Sequence, residues 1–152
     1  MAFIHSFPDI HFDFGGIKEL GPELQARGIR KPIIITDRGL VACGVLQQVL
    51  DALPASQDNA VFSDIPENPT VRGVEEALAV YQSEDCDGVV GLGGGSVLDS
   101  GKALRVVARR SETLLSFLDG SSEITSDVAP YITIPTTAGT GAEITFGGGI
   151  HP

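Results

Sequence analysis

Three consecutive glycines and a serine, Gly93-Gly94-Gly95-Ser96, stand between a short apolar run and a segment with helical periodicity. Glycines let the backbone turn sharply and let a bulky ligand approach the main chain. The first turn of a helix presents unpaired N–H groups and a partial positive charge, which together favour a phosphate group. The pattern predicts a phosphate or dinucleotide site at Gly94, Gly95 and Ser96, where Ser96 caps the helix or donates its hydroxyl to a phosphate. A tight strand-to-helix connection that binds nothing is the alternative.

A second dense pattern is the hydroxyl-rich segment Pro135-Thr136-Thr137-Ala138-Gly139-Thr140-Gly141, which follows another apolar run. In a parallel sheet, the carboxyl ends of the strands line the ligand crevice. Thr136, Thr137 and Thr140 are therefore candidates to hydrogen-bond the same ligand. The alternative is a Thr/Gly turn whose hydroxyls bond their own backbone.

Three further polar residues stand near predicted strand or helix ends, and each has two interpretations. Asp37 ends a buried strand, where it either accepts the hydroxyls of an adenosine ribose and repels a 2′-phosphate or caps the helix that starts at Leu40. Asn68 flanks the same crevice or is a simple turn residue. Asp99 forms an ion pair with Lys102, one helical turn away, or faces the nicotinamide or its ribose.

The elements that must position these residues follow from apolar periodicity. Strands and helices alternate, which predicts one α/β domain over residues 1–152 with a Rossmann-like, mostly parallel sheet and helices on both faces. Thr70 is expected to cap the helix that passes through Tyr81. The predicted strands are 9–14 (an edge strand), 33–36, 59–63, 87–92 and 131–134, and the other predicted helices are 17–26, 40–53, 96–109 and 113–118.

Composition narrows the function classes. The chain has 152 residues, of which 42% are hydrophobic, and a net charge of −10, which argues against non-specific nucleic-acid binding. We find no signal-peptide pattern and no apolar run near the roughly 20 residues needed to cross a bilayer, so we expect no membrane association. Cys43 and Cys86 show no CxxC spacing and suit a reducing compartment, which predicts a cytoplasmic protein.

The segments Gly94–Lys102 and Pro135–Thr145, taken together, resemble the iron-containing (group III) alcohol dehydrogenase family. The Thr36-Asp37 and Asn68-Pro69-Thr70 turns fit that family in order and rough spacing, and the likeness covers about residues 10 to 145. The paired motifs are specific, whereas the first alone is shared with glycerol dehydrogenase and dehydroquinate synthase relatives.

The resemblance implies a fold like the N-terminal domain of dehydroquinate synthase and a hydride transfer between NAD(H) and an alcohol or aldehyde. It implies that Gly94, Gly95 and Ser96 hold the cofactor pyrophosphate. It assigns the adenosine ribose to Asp37, which favours NAD over NADP, and places Asp99 on the nicotinamide side. The residues that flank the cofactor by the same resemblance are Asn68, Thr136, Thr137 and Thr140.

The metal of the family, Fe²⁺ or Zn²⁺, is bound in a C-terminal helical domain by an Asp and three His that this sequence does not contain. His5, His11 and His151 have no HxxxH spacing and are expected at the surface. We therefore expect no catalytic or metal-binding residue here, weak NAD binding, no turnover by this chain alone, and homo-oligomer formation through exposed edges. The alternative is a stand-alone nucleotide-binding module or a subunit completed by another chain.

Overall fold

The computed structural model describes residues 8–145 and 147–151. Its strands are β1 (Pro32–Ile35), β2 (Ala60–Phe62), β3 (Gly88–Gly93) and β4 (Tyr131–Pro135). They pair in parallel in the order β2-β1-β3-β4. The helices are α1 (Leu20–Ala26), α2 (Arg38–Ala42), α3 (Val45–Ala52), α4 (Val71–Ser83), α5 (Gly95–Val107) and α6 (Leu114–Leu118), and a 3₁₀ turn (Gly16–Glu19) precedes α1.

Both faces of the sheet are covered by helices, as predicted. Successive side chains of a strand point to opposite faces, and the two central strands are buried along their whole length. Ile33 and Val89 pack with residues of α4, α5 and α6. Ile34 and Val90 pack on the other face with residues of α1 and α3. The central strands are apolar at every position because each of their two faces packs into a separate hydrophobic core.

Parallel pairing brings the ends of β1, β3 and β4 to one edge of the sheet. Gly93 pairs with Pro135 at the last position of β3 and β4. The fully buried Thr36 follows β1, and its hydroxyl donates to the carbonyl of Leu92 at 2.8 Å. This hydrogen bond fixes the end of β1 against the end of β3, so the loops that follow them start from a rigid base.

The predicted edge strand at 9–14 was wrong. This stretch has no regular structure, and the apolar residues that alternate along it are exposed, with 64% exposure at Ile10, 98% at Phe12 and 101% at Phe14. Alternation makes a segment able to form a strand, but a strand also needs a neighbour that pairs its backbone. Among the described residues, no strand pairs with this segment.

The predicted single helix at 40–53 is two helices, α2 and α3. The break lies at Gly44, whose φ of 81° is in the left-handed region that ends a helix. The apolar periodicity continues across the break and therefore concealed it. The predicted cap at Thr70 is confirmed, because its hydroxyl accepts the Gly73 N–H at 3.1 Å. Within the described residues, we find no helix that is both long and apolar enough to cross a membrane.

Candidate cofactor-binding site

A cleft of about 790 Å³ opens at the edge where the strands end. Six of the nine residues predicted from the sequence line it together, at three of the four strand ends. They are Asp37 after β1, Gly94, Gly95 and Ser96 after β3, and Thr136 and Thr137 after β4. The sequence did not indicate the other lining residues, which are Arg38, Gly39, Leu40, Asp64, Ile65, Pro66, Glu67 and Val97.

The glycine turn lies directly against the threonine loop. A β-carbon at Gly94 would stand 3.0 Å from Thr137 Oγ1, and one at Gly95 would stand 3.2 Å from Thr140 Cγ2. Gly94 has φ −81° and ψ −170°, a backbone that any residue adopts. Its small size therefore matters because of close approach and not because of backbone conformation. The predicted meeting of the two loops at one edge is confirmed.

Helix α5 begins at this cleft with Gly94 as its N-cap. In the part of the chain that the structure describes, no side chain caps the helix. The N–H groups of its first turn and the positive end of its dipole thus remain at the cleft wall. This arrangement attracts a phosphate group without any basic side chain.

Ser96 does not cap α5, so that part of its prediction was wrong. Its hydroxyl donates to the backbone carbonyl of Glu67, in the loop between β2 and α4. The hydrogen bond joins the glycine turn to the next loop around the cleft. Ser96 therefore shapes the cleft wall, and its oxygen is left as an acceptor.

The threonine loop combines cleft contacts with internal hydrogen bonds. The Thr136 N–H donates to the Gly93 carbonyl at 3.0 Å, which extends the pairing of β3 and β4 by one residue. The Thr140 hydroxyl accepts the Ala142 N–H at 3.4 Å, as the turn interpretation predicts. Thr140 does not line the cleft; its methyl group instead packs against Gly95. Thr140 therefore packs against the glycine turn without facing the cleft.

Asp37 caps a helix and also lines the cleft. Its Oδ1 accepts the Leu40 N–H at 3.0 Å, which confirms the cap of α2. The half-buried side chain also lines the cleft. A carboxylate has two oxygens with several acceptor positions, so a cap that uses one of them leaves capacity for ribose hydroxyls.

The same end of the cleft holds an ion pair between Arg38 and Asp64. The Arg38 Nε donates to Asp64 Oδ1, and this bond lowers the pKa of the Asp64 carboxyl and raises the pKa of the Arg38 guanidinium. No sequence motif indicated the pair, because its members lie 26 residues apart, Arg38 at the start of α2 and Asp64 in the loop after β2. The position of Asp64 could have indicated it as a cleft residue, since it lies two residues after β2, just as Asp37 lies two residues after β1.

Asn68 and Asp99 do not line the cleft. Asn68 is exposed in the turn before α4. Asp99 lies one turn into α5, where its Oδ1 accepts the Lys102 Nζ at 2.9 Å and its Oδ2 accepts the Gly149 N–H at 3.0 Å. The ion-pair interpretation of Asp99 is confirmed, but the pair is mostly buried and does not lie on the open surface.

Among the described residues, no group of three or more His, Cys, Asp or Glu side chains could hold a metal ion. His11 and His151 are exposed, as expected, and His11 bonds Glu23 at 2.9 Å. His5 lies outside the described residues. The chemistry of this site is thus that of a polar cleft with a helix N-terminus and carboxylates.

The family described as iron-containing alcohol dehydrogenase matches residues 8–151. The chain belongs to this family. The 4-hydroxybutyrate dehydrogenase of Cupriavidus necator is 43% identical over 97% of the chain, which spans 39% of that protein. The lactaldehyde reductase of Escherichia coli is 37% identical over 89% of the chain, which spans 36% of it.

Solved structures of alcohol dehydrogenases share this fold. The NADH-dependent butanol dehydrogenase A of Thermotoga maritima superposes with a TM-score of 0.86 at 32% identity, over 94% of this chain and 36% of that one. The sulfoacetaldehyde reductase of Bifidobacterium kashiwanohense, solved in complex with NAD⁺, gives 0.86 at 29% identity, over 95% and 39%. The predicted family and the Rossmann-like fold are both confirmed.

Proposed function

We propose that this member of the iron-containing alcohol dehydrogenase family forms the NAD-binding part of an enzyme that transfers a hydride between NAD(H) and an alcohol or aldehyde. The observation that supports it most is the uncapped N-terminus of α5, which faces a cleft lined by Asp37, Thr136 and Thr137. Its relatives include dehydrogenases of several alcohols, so the substrate is proposed only as a class.

The order of the strands supports one orientation of the dinucleotide. Strand β3 lies between β1 and β4, so the glycine turn lies between Asp37 on one side and the chain that follows β4 on the other. With the pyrophosphate at the N–H groups of Gly95 and Ser96, the adenosine ribose lies at Asp37. The nicotinamide then points toward the side where Gly149, in the segment after β4, contacts Asp99.

The charges around the cleft favour NAD over NADP. Asp37, Asp64 and Glu67 line the β1 and β2 side, and Arg38 is the one basic residue among the lining residues. Arg38 is already paired with Asp64. An additional 2′-phosphate would thus meet carboxylates at close range, whereas the ribose hydroxyls of NAD can donate to Asp37.

The described residues do not fit a catalytic Fe²⁺ or Zn²⁺, since they offer no cluster of donors. The proposed contribution of these residues is to bind the cofactor and to orient its nicotinamide. We expect this chain to catalyse no alcohol oxidation by itself.

Titration of the 152-residue chain with NADH, NADPH and ADP, followed by calorimetry and NADH fluorescence, tests the proposal. ADP contains the adenosine and pyrophosphate without the nicotinamide riboside, so it probes one half of the site. We expect saturable binding of NADH and ADP, and weaker binding of NADPH. No binding of any nucleotide, or tighter binding of NADPH, would contradict the proposal.

We also propose that the chain forms a homo-oligomer through the exposed residues Ile10, Phe12 and Phe14. Three large apolar side chains in one short segment form the kind of exposed surface that marks protein association. Light scattering on the chain and on an Ile10→Ser/Phe12→Ser/Phe14→Ser variant tests this. We expect an oligomer for the chain and a monomer for the variant; a monomer in both cases would refute it.

A cytoplasmic location is likewise proposed. Cys43 and Cys86 are both free thiols, and a reducing compartment maintains cysteines in that state.

A further inference from the structure

Tyr131 is the first residue of the edge strand β4, and its side chain joins that strand to helix α5. Its hydroxyl donates to the Leu98 carbonyl of α5 at 2.9 Å. Burial raises the pKa of the Tyr131 phenol, so the group stays a neutral hydrogen-bond donor at physiological pH. The bond therefore ties the start of β4 to the first half of α5.

The ring of Tyr131 fits between two glycines, one from the sheet and one from the helix. A β-carbon at Gly91 of β3 would stand 3.1 Å from Tyr131 Cε2 and Cζ, and one at Gly101 of α5 would stand 2.5 Å from Cζ. A side chain at Gly101 would displace the ring, because packed interiors leave no space for an added methyl group. The ring therefore sets the spacing between α5 and the sheet at this point.

A second contact joins α5 to the residue two positions before β4. The Arg105 Nε donates to the Ala129 carbonyl at 2.9 Å, and the Ala129 N–H donates to the Arg105 carbonyl at 3.0 Å. Among the described residues, β4 pairs with one strand only, β3. The contacts with α5 thus supplement a single row of strand pairing in holding β4 in place.

The helix and the strand that Tyr131 joins each lead to one wall of the cleft. Helix α5 begins at the glycine turn, and β4 leads into Thr136 and Thr137. The two walls approach closely, since a β-carbon at Gly94 would stand 3.0 Å from Thr137 Oγ1. A shift of α5 relative to β4 would therefore change how the first N–H groups of the helix and the threonine loop face a bound phosphate.

We propose that Tyr131 is a positioning residue for the phosphate-binding part of the cleft: it fixes the N-terminus of α5 relative to the threonine loop. The proposal rests on the NAD-binding function proposed above. It concerns the diphosphate of the ligand and not the adenosine, because Asp37 follows β1, on the other side of β3.

The first test compares Tyr131→Phe with Tyr81→Phe. The chain contains two tyrosines, and Tyr81 is buried on α4 beside Arg109, beyond the C-terminal end of α5. Affinity is measured for ADP and for adenosine, which lacks the diphosphate. In Tyr131→Phe we expect ADP affinity to fall by about threefold and adenosine affinity to change by less than about twofold, because only the bond to α5 is lost. Tyr81→Phe should leave both affinities unchanged.

The ratio of the two affinities separates positioning from stability. A merely structural role would lower the stability of Tyr131→Phe and leave the affinity of the folded protein for ADP relative to adenosine as in the wild type. An unchanged ratio, or an equal loss of ADP affinity in Tyr81→Phe, would overturn the proposal.

Gly101→Ala perturbs the same contact from the helix side. Alanine favours a helix more than glycine does, so an effect through helix stability alone would not weaken binding. We expect ADP affinity to fall by about fivefold, because the methyl group displaces the Tyr131 ring. In a Tyr131→Leu background, which lacks the ring, the same substitution should have no further effect. Additive losses would mean that Gly101→Ala does not act through Tyr131, which would contradict the proposal.

The NMR chemical shifts of the Gly95 and Ser96 amides, recorded without nucleotide, give a readout that does not depend on the proposed function. We expect both to move in Tyr131→Phe and neither to move in Tyr81→Phe, since these amides lie in the first turn of α5. If the wild-type chain binds no ADP but these shifts move, the dinucleotide function fails while the tie between β4 and α5 stands. If the shifts do not move, the positioning role is overturned.

Discussion

Asp37 and Asp99 are two acidic residues at opposite sides of one glycine turn, and they differ in their exposure to the cleft and in their hydrogen bonds. Asp37 lines the open cleft and uses only Oδ1, to accept the Leu40 N–H. Asp99 lies outside the cleft, and both of its oxygens are bonded, one to Lys102 and one to the Gly149 N–H. Asp37 thus offers an oxygen to the cleft for which we find no partner among the described residues, whereas both oxygens of Asp99 are already bonded.

The two carboxylates differ in how freely they can interact with an anionic ligand: Asp37 is open to the cleft, and Asp99 is restrained by its neighbours. At Asp37 the carboxylate is open to the cleft, so it can select between a hydroxyl and a phosphate by charge. At Asp99 the neighbouring cation and the backbone restrain the group, so any part that it has in the proposed binding of NAD is expected to be orientation. The β1 side is therefore expected to determine cofactor choice, and the β4 side to determine how the nicotinamide is held.

The largest effect is expected at the turn between the two sides. In Gly94→Ala the new methyl group would stand 3.0 Å from Thr137 Oγ1 and beside the first N–H groups of α5. We expect NADH and ADP to lose affinity alike, by about tenfold or more, since both share the pyrophosphate. Gly16→Ala is the control, because a β-carbon there meets nothing within 4 Å. Unchanged affinity in Gly94→Ala would mean that the phosphates bind elsewhere.

The second-largest effect is expected at Asp37, on the side of the cleft after β1. Asp37→Ser keeps a residue that can cap the helix and removes the carboxylate. We expect ADP and NADH affinity to fall by about fivefold and the preference for NADH over NADPH to shrink. Calorimetric titration of the three nucleotides measures both quantities. If Asp37→Ser binds all three like the wild type, Asp37 is a helix cap and nothing more.

Capping itself can be measured separately with Asp37→Ala and Thr70→Ala, since each removes an N-cap that accepts one backbone N–H. Each should lower the free energy of unfolding by about 1 kcal/mol in denaturant titrations. Only Asp37→Ala should also weaken nucleotide binding.

The sequence predicted the meeting of the two loops because the alternation of strands and helices, which indicates a parallel sheet, is visible in local patterns. The apolar runs of β1 and β3 are buried, and β4, predicted as a buried strand, is only partly buried because it lies at the edge of the sheet. Parallel strands direct their carboxyl ends to one edge. The sequence could not predict which polar atoms remain free. Ser96 bonds the Glu67 carbonyl and Lys102 bonds the Gly147 carbonyl, and both depend on loops whose paths follow from tertiary packing.

The two wrong elements have a similar origin. At 9–14 the alternation was correct for a strand, but strand formation depends on a partner that periodicity cannot supply. At Gly44 a single glycine in the left-handed region divided an otherwise continuous helical pattern. Both errors lie outside the residues that line the cleft, so they do not alter its lining.

The third effect concerns the enclosed side. In Asp99→Asn, an NH₂ donor replaces one of the two carboxylate oxygens and would face either the Lys102 ammonium or the Gly149 N–H, both of which are donors. We expect NADH affinity to fall by about threefold, with ADP unaffected. Asp51→Asn is a matched control, because Asp51 accepts a side-chain hydrogen bond from Gln47 at 2.8 Å on the distant helix α3. A loss of ADP affinity in Asp99→Asn would remove the proposed division between the two sides.

The smallest effect is expected from Asp64→Ala, which releases the Arg38 guanidinium beside Asp37. A freed guanidinium can pair with a 2′-phosphate, so the affinity for NADPH relative to NADH should rise by about twofold. The bond from Arg38 lowers the pKa of Asp64 below its usual 3.8. Asp64 therefore stays ionised above about pH 5, and the two proteins are compared at about pH 8, where a 2′-phosphate with a second pKa of about 6 is also fully ionised. A ratio in Asp64→Ala equal to that of the wild type would mean that Asp37 alone sets cofactor choice on the open side.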